Sequence, residues 1–411
     1  MLSRRVAWSV ALAAVLTMTV SIFDRQTLAV LAPSVTKAMG ISESAYGWLT
    51  ASFSAAYLLA TPLGGLWIDR VGARRGLVYS VLAWSMVAAL HAVVPGFALL
   101  FALRIALGLA EGPSFPGVAQ TMLRVLPPAD RSRGFGLVFA GSSIGSMIAP
   151  PLASLLFRLA GWRVAFLGTA CAGLIWLPLW LAATRRPAVA AQLDVVPGPA
   201  VASEPRPTFR ELATHPIMVR ALIAIAAVAP IVGFLLSWGA KVLVQRFQIA
   251  QGDVGAYLWV PPVAYDVIAV LFGDLAARWR RAPGAPPRAL FAVAALFGVA
   301  IALLPHAGTP WEAIAVMSLA IGGAGATYTL VVADMLGRMP PASVSSAGGI
   351  IAGAQSLALI VSSPLIGRAV DHFGNYEVVA HTLGAWVVPG ALVWWWWRPA
   401  ERWSARAASS T

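Results

Sequence analysis

Long apolar runs, separated by short clusters of basic and turn-forming residues, recur along the whole chain. A run of about 20 apolar residues is long enough to cross a bilayer as a helix. The runs predict helices near Val6–Leu31, Ala45–Ile68, Gly76–Val94, Phe97–Leu123, Gly134–Phe157 and Trp162–Ala183, then Ile217–Val244, Val254–Ala277, Ala289–Pro305, Trp311–Leu336, Ser343–Ile366 and Val378–Trp397. A transmembrane barrel would instead alternate apolar and polar residues over strands of about 10 residues, whereas these runs are continuous. The pattern therefore predicts an all-α membrane protein with twelve transmembrane helices.

Composition agrees with the pattern. Of 411 residues 59% are apolar and only 11% charged, against about 25% charged in a soluble domain. A disordered chain, a secreted disulfide scaffold and a cytosolic enzyme are excluded. Cys171 is the single cysteine, so no intrachain disulfide can form. The net charge of +13 is explained by its placement. With the N-terminus inside, the cytoplasmic segments hold 21 basic residues and the outer ones 5, namely Lys37, Arg158, Arg163, Arg246 and Arg368. This asymmetry follows the positive-inside rule and predicts that both termini are cytoplasmic. No nucleic-acid partner is needed to account for the charge. Ser3-Arg4-Arg5 precedes a run long enough to span and has no small-residue cleavage site, so it reads as the start of the first helix rather than an export signal. Arginine far outnumbers lysine, as in GC-rich bacterial genomes, which suggests a bacterial inner membrane.

The stretch from about Arg185 to Arg210 contains Pro187, Pro197, Pro199, Pro205 and Pro207 and reads as a flexible linker. It divides the chain into a six-helix bundle at 1–184, a cytoplasmic linker at 185–216, a second six-helix bundle at 217–398 and a cytoplasmic tail at 399–411. An internal repeat supports two pseudo-symmetric halves. Met122-Leu-Arg-Val-Leu-Pro127-Pro128-Ala129 recurs 213 residues later as Met335-Leu-Gly-Arg-Met-Pro340-Pro341-Ala342, each copy at the turn between the fourth and fifth helices of its half. Parallel repeats of this kind occur in transporters whose halves rock about a central site. Trp394 to Trp397, followed by Arg398, reads as an aromatic belt at the inner interface. His91, His306, His372 and His381 lie near span ends without metal-ligand spacing and read as interfacial; no metal site is expected.

Between the second and third helices stands Gly65-Leu66-Trp67-Ile68-Asp69-Arg70-Val71-Gly72-Ala73-Arg74-Arg75. The glycines permit a tight turn and close helix approach, Asp69 can meet positive helix N-termini, and the arginines can meet lipid phosphates. A plain basic loop would explain the arginines but not the Gly and Asp spacing. The segment resembles the G-x-x-x-D-R-x-G-x-R-R loop of the major facilitator superfamily, in sequence and in its place after the second helix. That resemblance implies the major facilitator fold, alternating access, and a conformational gate built on Gly65, Asp69, Arg70, Gly72, Arg74 and Arg75. The second half carries a reduced counterpart, Gly273-Asp274 with Arg278 and Arg280.

Four charges of the first half fall inside apolar runs: Asp24, Arg25, Arg104 and Glu111. Each would cost about 2.5–3.5 kcal/mol on insertion scales, so they must face one another or a water-filled cavity. Arg104 and Glu111 are seven residues apart and share one face of the fourth helix. A guanidinium binds a carboxylate in a fork of two hydrogen bonds, and a buried carboxylate can carry a proton. The pattern suits an organic anion and a proton. Internal salt bridges that only fix helix packing are the competing reading.

The fourth helix runs Arg104-Ile-Ala-Leu-Gly108-Leu-Ala-Glu111-Gly112-Pro113-Ser114-Phe115-Pro116-Gly117 and should bend at its prolines. Its R-x-x-x-G-x-x-E-G-P-x-x-P pattern, with Asp24-Arg25-Gln26-Thr27-Leu28 of the first helix, resembles the anion:cation symporter branch of the superfamily. Gly141 to Leu152 and the Asp334 to Gly349 turn are similar to the hexuronate transporters of that branch. The resemblance implies proton-coupled uptake of a sugar acid, with Arg25 and Arg104 toward the carboxylate and Asp24 and Glu111 toward protons. It also implies Tyr57 near sugar hydroxyls and a role for Lys241. Ser142-Ser143 stand where some aldonate carriers have a glutamine, which fits a different or smaller anion. Trp238, Tyr257, Trp259, Tyr265, Tyr328 and Gln355 of the second half are amphipathic groups suited to a ring or hydroxyls, although packing or interface anchoring is the favoured reading for each. Ser142, Lys241, Tyr328 and Gln355 complete the candidate substrate set, and Asp266 is a further intramembrane carboxylate.

The expected partners are a small organic anion, a proton and membrane lipid, the protein acting as a monomer with no cofactor beyond the proton gradient. Three alternatives stand: uptake of a smaller mono- or dicarboxylate, drug:proton antiport, and a non-transporting membrane sensor. The G-x-x-x-G-P-x-x-G-G pattern of such exporters is absent, since Ser146 follows Gly145, and no loop is long enough for a sensor's output domain. Neither H-E-x-x-H nor G-x-S-x-G occurs, so an enzyme is not expected.

Overall fold

The apolar runs form helices throughout. The computed structural model describes residues 2–194, 207–279, 288–340 and 343–399, and every regular element among them is helical. In chain order these are α1 (Arg4–Met39), α2 (Glu43–Val71), α3 (Ala73–Leu90), α4 (Phe97–Glu111), α5 (Ser114–Val125), α6 (Pro128–Thr184), α7 (Pro187–Leu193) and α8 (Phe209–Thr214). The remainder are α9 (Pro216–Phe247), α10 (Gly255–Leu258), α11 (Val260–Arg278), α12 (Arg288–Val299), α13 (Pro310–Leu336), α14 (Val344–Phe373) and α15 (Glu377–Trp396), with short 3-10 turns between some of them.

Eleven stretches among the described residues are long and apolar enough to cross a membrane. One of them, α6, has 57 residues. At about 1.5 Å per residue a straight helix of that length would be near 85 Å, almost three bilayer cores. It is not straight. Ala160 leaves helical geometry and Gly161 takes φ +79°, so α6 holds the fifth and sixth expected spans on either side of a turn. The fourth expected span is likewise divided. Pro113 has no amide hydrogen to give, and the helix breaks at Gly112-Pro113 into α4 and α5, where the prolines predicted a bend.

Two compact units result. The first comprises residues 1–200 with 234–263 and 360–374; the second comprises 201–233, 264–359 and 375–411. In the first, tryptophans close the core: Trp176 donates to the carbonyl of Ala13 at 2.7 Å and Trp180 to that of Arg74 at 3.0 Å. Glycines bring α1 and α6 together. A Cβ at Gly145 would lie 2.7 Å from the Thr19 carbonyl oxygen, and Thr19 donates to the Gly141 carbonyl at 2.9 Å.

The segments 234–263 and 360–374 pack in this unit against the Met39 end of α1 and the Glu43 end of α2. The Asp371 carboxylate accepts from the Glu43 and Ser44 amides, at 2.9 and 2.7 Å, satisfying free N–H groups at the start of α2. Tyr46 donates to the Ser237 carbonyl at 2.7 Å, and Gln251 donates to the Val30 carbonyl at 2.7 Å.

In the second unit Trp394 corrects the reading of the tryptophan run. It is 1% exposed, stacks on Phe291 at 3.8 Å between ring centroids, and its carbonyl accepts from Arg220. Trp395, Trp396 and Trp397 remain exposed, so a belt role is open only to these three. His91 is also corrected: it is buried, stacked on Phe166 at 5.3 Å, rather than interfacial. The stretch read as a flexible linker contains two helices, α7 and α8. Val189 and Leu193 of α7 are buried, and α8 opens on a Thr208–Glu211 capping box.

Candidate functional site

The four charges that fall inside the apolar runs of the first half lie near one another, apart from Lys241 of the same unit. Glu111, at the last turn of α4, is 0% exposed and accepts from Arg25 of α1 at 3.0 Å and from the Ser21 hydroxyl at 2.9 Å. The pair crosses from α1 to α4, whereas the sequence placed Glu111 with Arg104 on one helix face. Arg104 makes no ion pair among the described residues; its Nε and Nη1 are buried and unbonded, and its guanidinium lies 4.6 Å from the Phe53 ring centroid. Both carboxylate oxygens of Asp24 are buried without a hydrogen-bond partner, as is Oε1 of Glu111. An unbonded buried polar atom costs about 1–3 kcal/mol, more when charged. Salt bridges that only fix helix packing would not leave these atoms unbonded.

Local sequence makes this approach possible. A Cβ at Gly108 would lie 2.6 Å from the Phe53 carbonyl oxygen and 2.9 Å from the Ala56 Cβ, and Gly112 lies equally tight against Ala60. Only glycine lets α4 press this closely on α2. Tyr57 is half-buried, its ring 4.6 Å from the Arg25 guanidinium and stacked on Phe53 at 6.0 Å between centroids.

Other candidates lie elsewhere. Ser142 bonds back to the Val138 carbonyl at 3.5 Å, and it is Ser146 that accepts from Gln26 of α1, also at 3.5 Å. Lys241 is buried in an ion pair with Glu43 at 2.7 Å and donates to Thr36 at 2.9 Å. Tyr328 and Gln355 are half-buried in the second unit. Among the described residues no group of His, Cys, Asp and Glu side chains could hold a metal.

The loop motif is built differently from the expectation. Gly65 makes ordinary contact with Pro116, while Gly64 is the glycine pressed against Pro113, where a Cβ would lie 2.8 Å from backbone atoms. Asp69 accepts from the Gln120 side chain at 2.6 Å rather than from a helix N-terminus. Gly72 takes φ +82° with Asp194 beside it, and Arg74 forms an ion pair with Asp194 at 2.7 Å. Arg124 of α5 donates to the Leu193 carbonyl at 2.7 Å, fixing the end of α7 to α5. Arg70 and Arg75 are exposed. Asp194 and α7 were hidden because Pro and Ala content reads as linker. Of the reduced motif in the second half, Asp274 pairs with Arg278 at 2.8 Å, and Arg280 lies outside the described residues.

Many apolar spans, a buried charge cluster where α1, α2 and α4 meet, and a glycine-bearing charged loop between spans are the architecture expected of a membrane carrier. The chain belongs to the Major Facilitator Superfamily, whose model matches residues 14–363. It is a transporter, not an enzyme. It is similar to the hexuronate transporter of Bacillus subtilis, 25% identical across 91% of this chain and 89% of that one, and to the Escherichia coli K12 hexuronate transporter, 25% identical across 90% and 89%. The probable galactarate/D-glucarate transporter of B. subtilis is 23% identical across 94% and 90%. Its fold matches that of a bacterial homologue of the human lysosomal transporter Spinster, in an inward-facing and unoccupied conformation, with TM-score 0.80 and 18% identity over 97% of this chain and 100% of that chain.

Proposed function

We propose that the protein takes up a sugar acid, a hexuronate or a related organic carboxylate, in symport with protons across a bacterial inner membrane. The observation that carries this reading is the buried set in which Glu111 is held by Arg25 and Ser21 while Arg104 and Asp24 keep unbonded polar atoms. A substrate carboxylate can take the free fork of Arg104 and compete with Glu111 for Arg25. Release of Glu111 from its cation in a buried setting favours its protonated form, which links proton uptake to substrate binding. Asp24, buried without a partner, is the second proton carrier. Relatives named as hexuronate, galactarate and D-galactonate transporters support the substrate class.

The test is uptake of labelled glucuronate and galacturonate into proteoliposomes under an inward proton gradient, for the wild type and Glu111→Gln. Gradient-driven uptake that is lost in the variant while counterflow exchange persists supports the reading. Folded wild-type protein that moves neither sugar acid sinks the hexuronate assignment and directs the search to smaller carboxylates.

A further inference from the structure

Phe53 touches both arginines. It is a buried α2 residue whose ring centroid lies 4.6 Å from the Arg104 guanidinium and 5.0 Å from that of Arg25. The next aromatic turn along α2, Tyr57, stacks on Phe53 at an interplanar angle of 16° and receives Arg25 at 4.6 Å. The Phe53 backbone is fixed as well, because its carbonyl oxygen abuts Gly108, midway between Arg104 and Glu111 on α4. One ring thus sits where α1, α2 and α4 meet, in contact with a cation from each neighbouring helix.

Two guanidiniums beside one ring in a poorly screened interior repel each other. Arg25 has Glu111 as counter-ion, at 3.0 Å; the described residues give Arg104 none. The negative face of an aromatic ring attracts a cation without occupying its N–H groups. That distinction matters here. A carboxylate in the place of Phe53 would neutralise Arg104 and fill its fork, whereas the ring leaves Nε and Nη1 unbonded.

We propose that Phe53 is a positioning residue for substrate binding: its ring holds the Arg25 and Arg104 guanidiniums in place by cation–π contact while leaving Nε and Nη1 of Arg104 and Nε of Arg25 unbonded and open to a carboxylate. The inference rests on the proposed function and adds a specificity element to the same site. Phe53 itself touches no reacting atom. It acts through the arginines, so its aromatic character, and not its volume alone, sets affinity for the anion.

The experiment compares Phe53→Leu, Phe53→Tyr and Phe53→Trp in full-length protein, reading KM and maximal rate of glucuronate uptake and the Tm of the detergent-purified carrier without substrate. Expected are a KM raised about tenfold in Phe53→Leu with a maximal rate within about twofold of wild type, and a near-normal KM in at least one aromatic variant. A double-mutant cycle between Phe53→Leu and Arg104→Met in Tm supplies a reading that needs no substrate: the two effects should be non-additive. Additive Tm effects, or a Phe53→Leu KM equal to wild type, would overturn the inference. Wild-type protein that transports no sugar acid but shows non-additive Tm effects would overturn the functional reading and keep the cation–π contact, so the two failures are distinguishable.

Discussion

Arg104 and Arg220 are both buried arginines near the start of an apolar helix stretch, and they live in opposite circumstances. Arg220, in the second unit, donates from Nε and Nη2 to the Trp394 carbonyl, pairs with Asp334 at 3.4 Å and lies over the Trp394 ring at 4.2 Å. Asp334 is shared with Arg338 at 2.7 Å. Arg104, in the first unit, has a ring beside it and two unbonded nitrogens. Removing one member of a bonded buried charge network is strongly destabilising, whereas a buried charge left with open valences already lowers stability. The contrast is between a cation whose bonds are made within the protein and one with nitrogens left open.

The sharpest way to break that comparison is Arg104→Met against Arg220→Met. Uptake should fall at least about 100-fold in Arg104→Met, a loss of some 2.7 kcal/mol or more in transition-state terms. Its Tm should hold or rise, because an unsatisfied buried cation gives way to an apolar side chain of similar length. Arg220→Met should do the reverse, lowering stability by about 3 kcal/mol through loss of a buried charge network. Matching Tm losses in both variants would erase the distinction.

Gly108→Val and Gly112→Val come next. Each adds side-chain atoms where α4 meets the Phe53 carbonyl or Ala60, so each should cost about 1–3 kcal/mol in thermal unfolding and impair uptake through a displaced Glu111. Lys241→Met should have a smaller effect on affinity than Arg104→Met, roughly a few-fold in KM, because Lys241 is engaged with Glu43 and Thr36. A KM loss equal to that of Arg104→Met would restore Lys241 to the substrate set. The mildest expectation concerns Glu211, in the segment between the halves. The Thr208 backbone amide, then its hydroxyl, hold the Glu211 carboxyl below its ordinary pKa. A lowered folded value means the cap is complete above the ordinary carboxylate range and is lost only as pH falls through that lowered value. The protection factors of the α8 amides should therefore be unchanged between pH 7 and 6, and Thr208→Ala should lower them while leaving uptake as in the wild type.

Much of this was written in the apolar pattern and in its violations. Helix placement followed from run length, and Asp24, Arg25, Arg104 and Glu111 stood out because charge is costly inside a span. Their pairing did not follow. Arg104 and Glu111 share a helix face, but the ion pair crosses to Arg25 of α1, a meeting set by tertiary packing that no local spacing shows. Phe53 carried no signal, because an aromatic residue in an apolar run looks like core. Lys241 and Glu43 lie 198 positions apart, and no local spacing links them. Gly64 was passed over for Gly65 because the motif counts positions, whereas contact with Pro113 depends on helix facing.

The most direct measurement of the central claim is proton movement on substrate entry. Proteoliposomes without an imposed gradient, in weak buffer with a pH-sensitive dye outside, are given glucuronate. External alkalinisation is expected with wild type, none with Glu111→Gln, and none with Arg104→Met. Glucuronate entry without proton movement, or unchanged alkalinisation in Glu111→Gln, would contradict it.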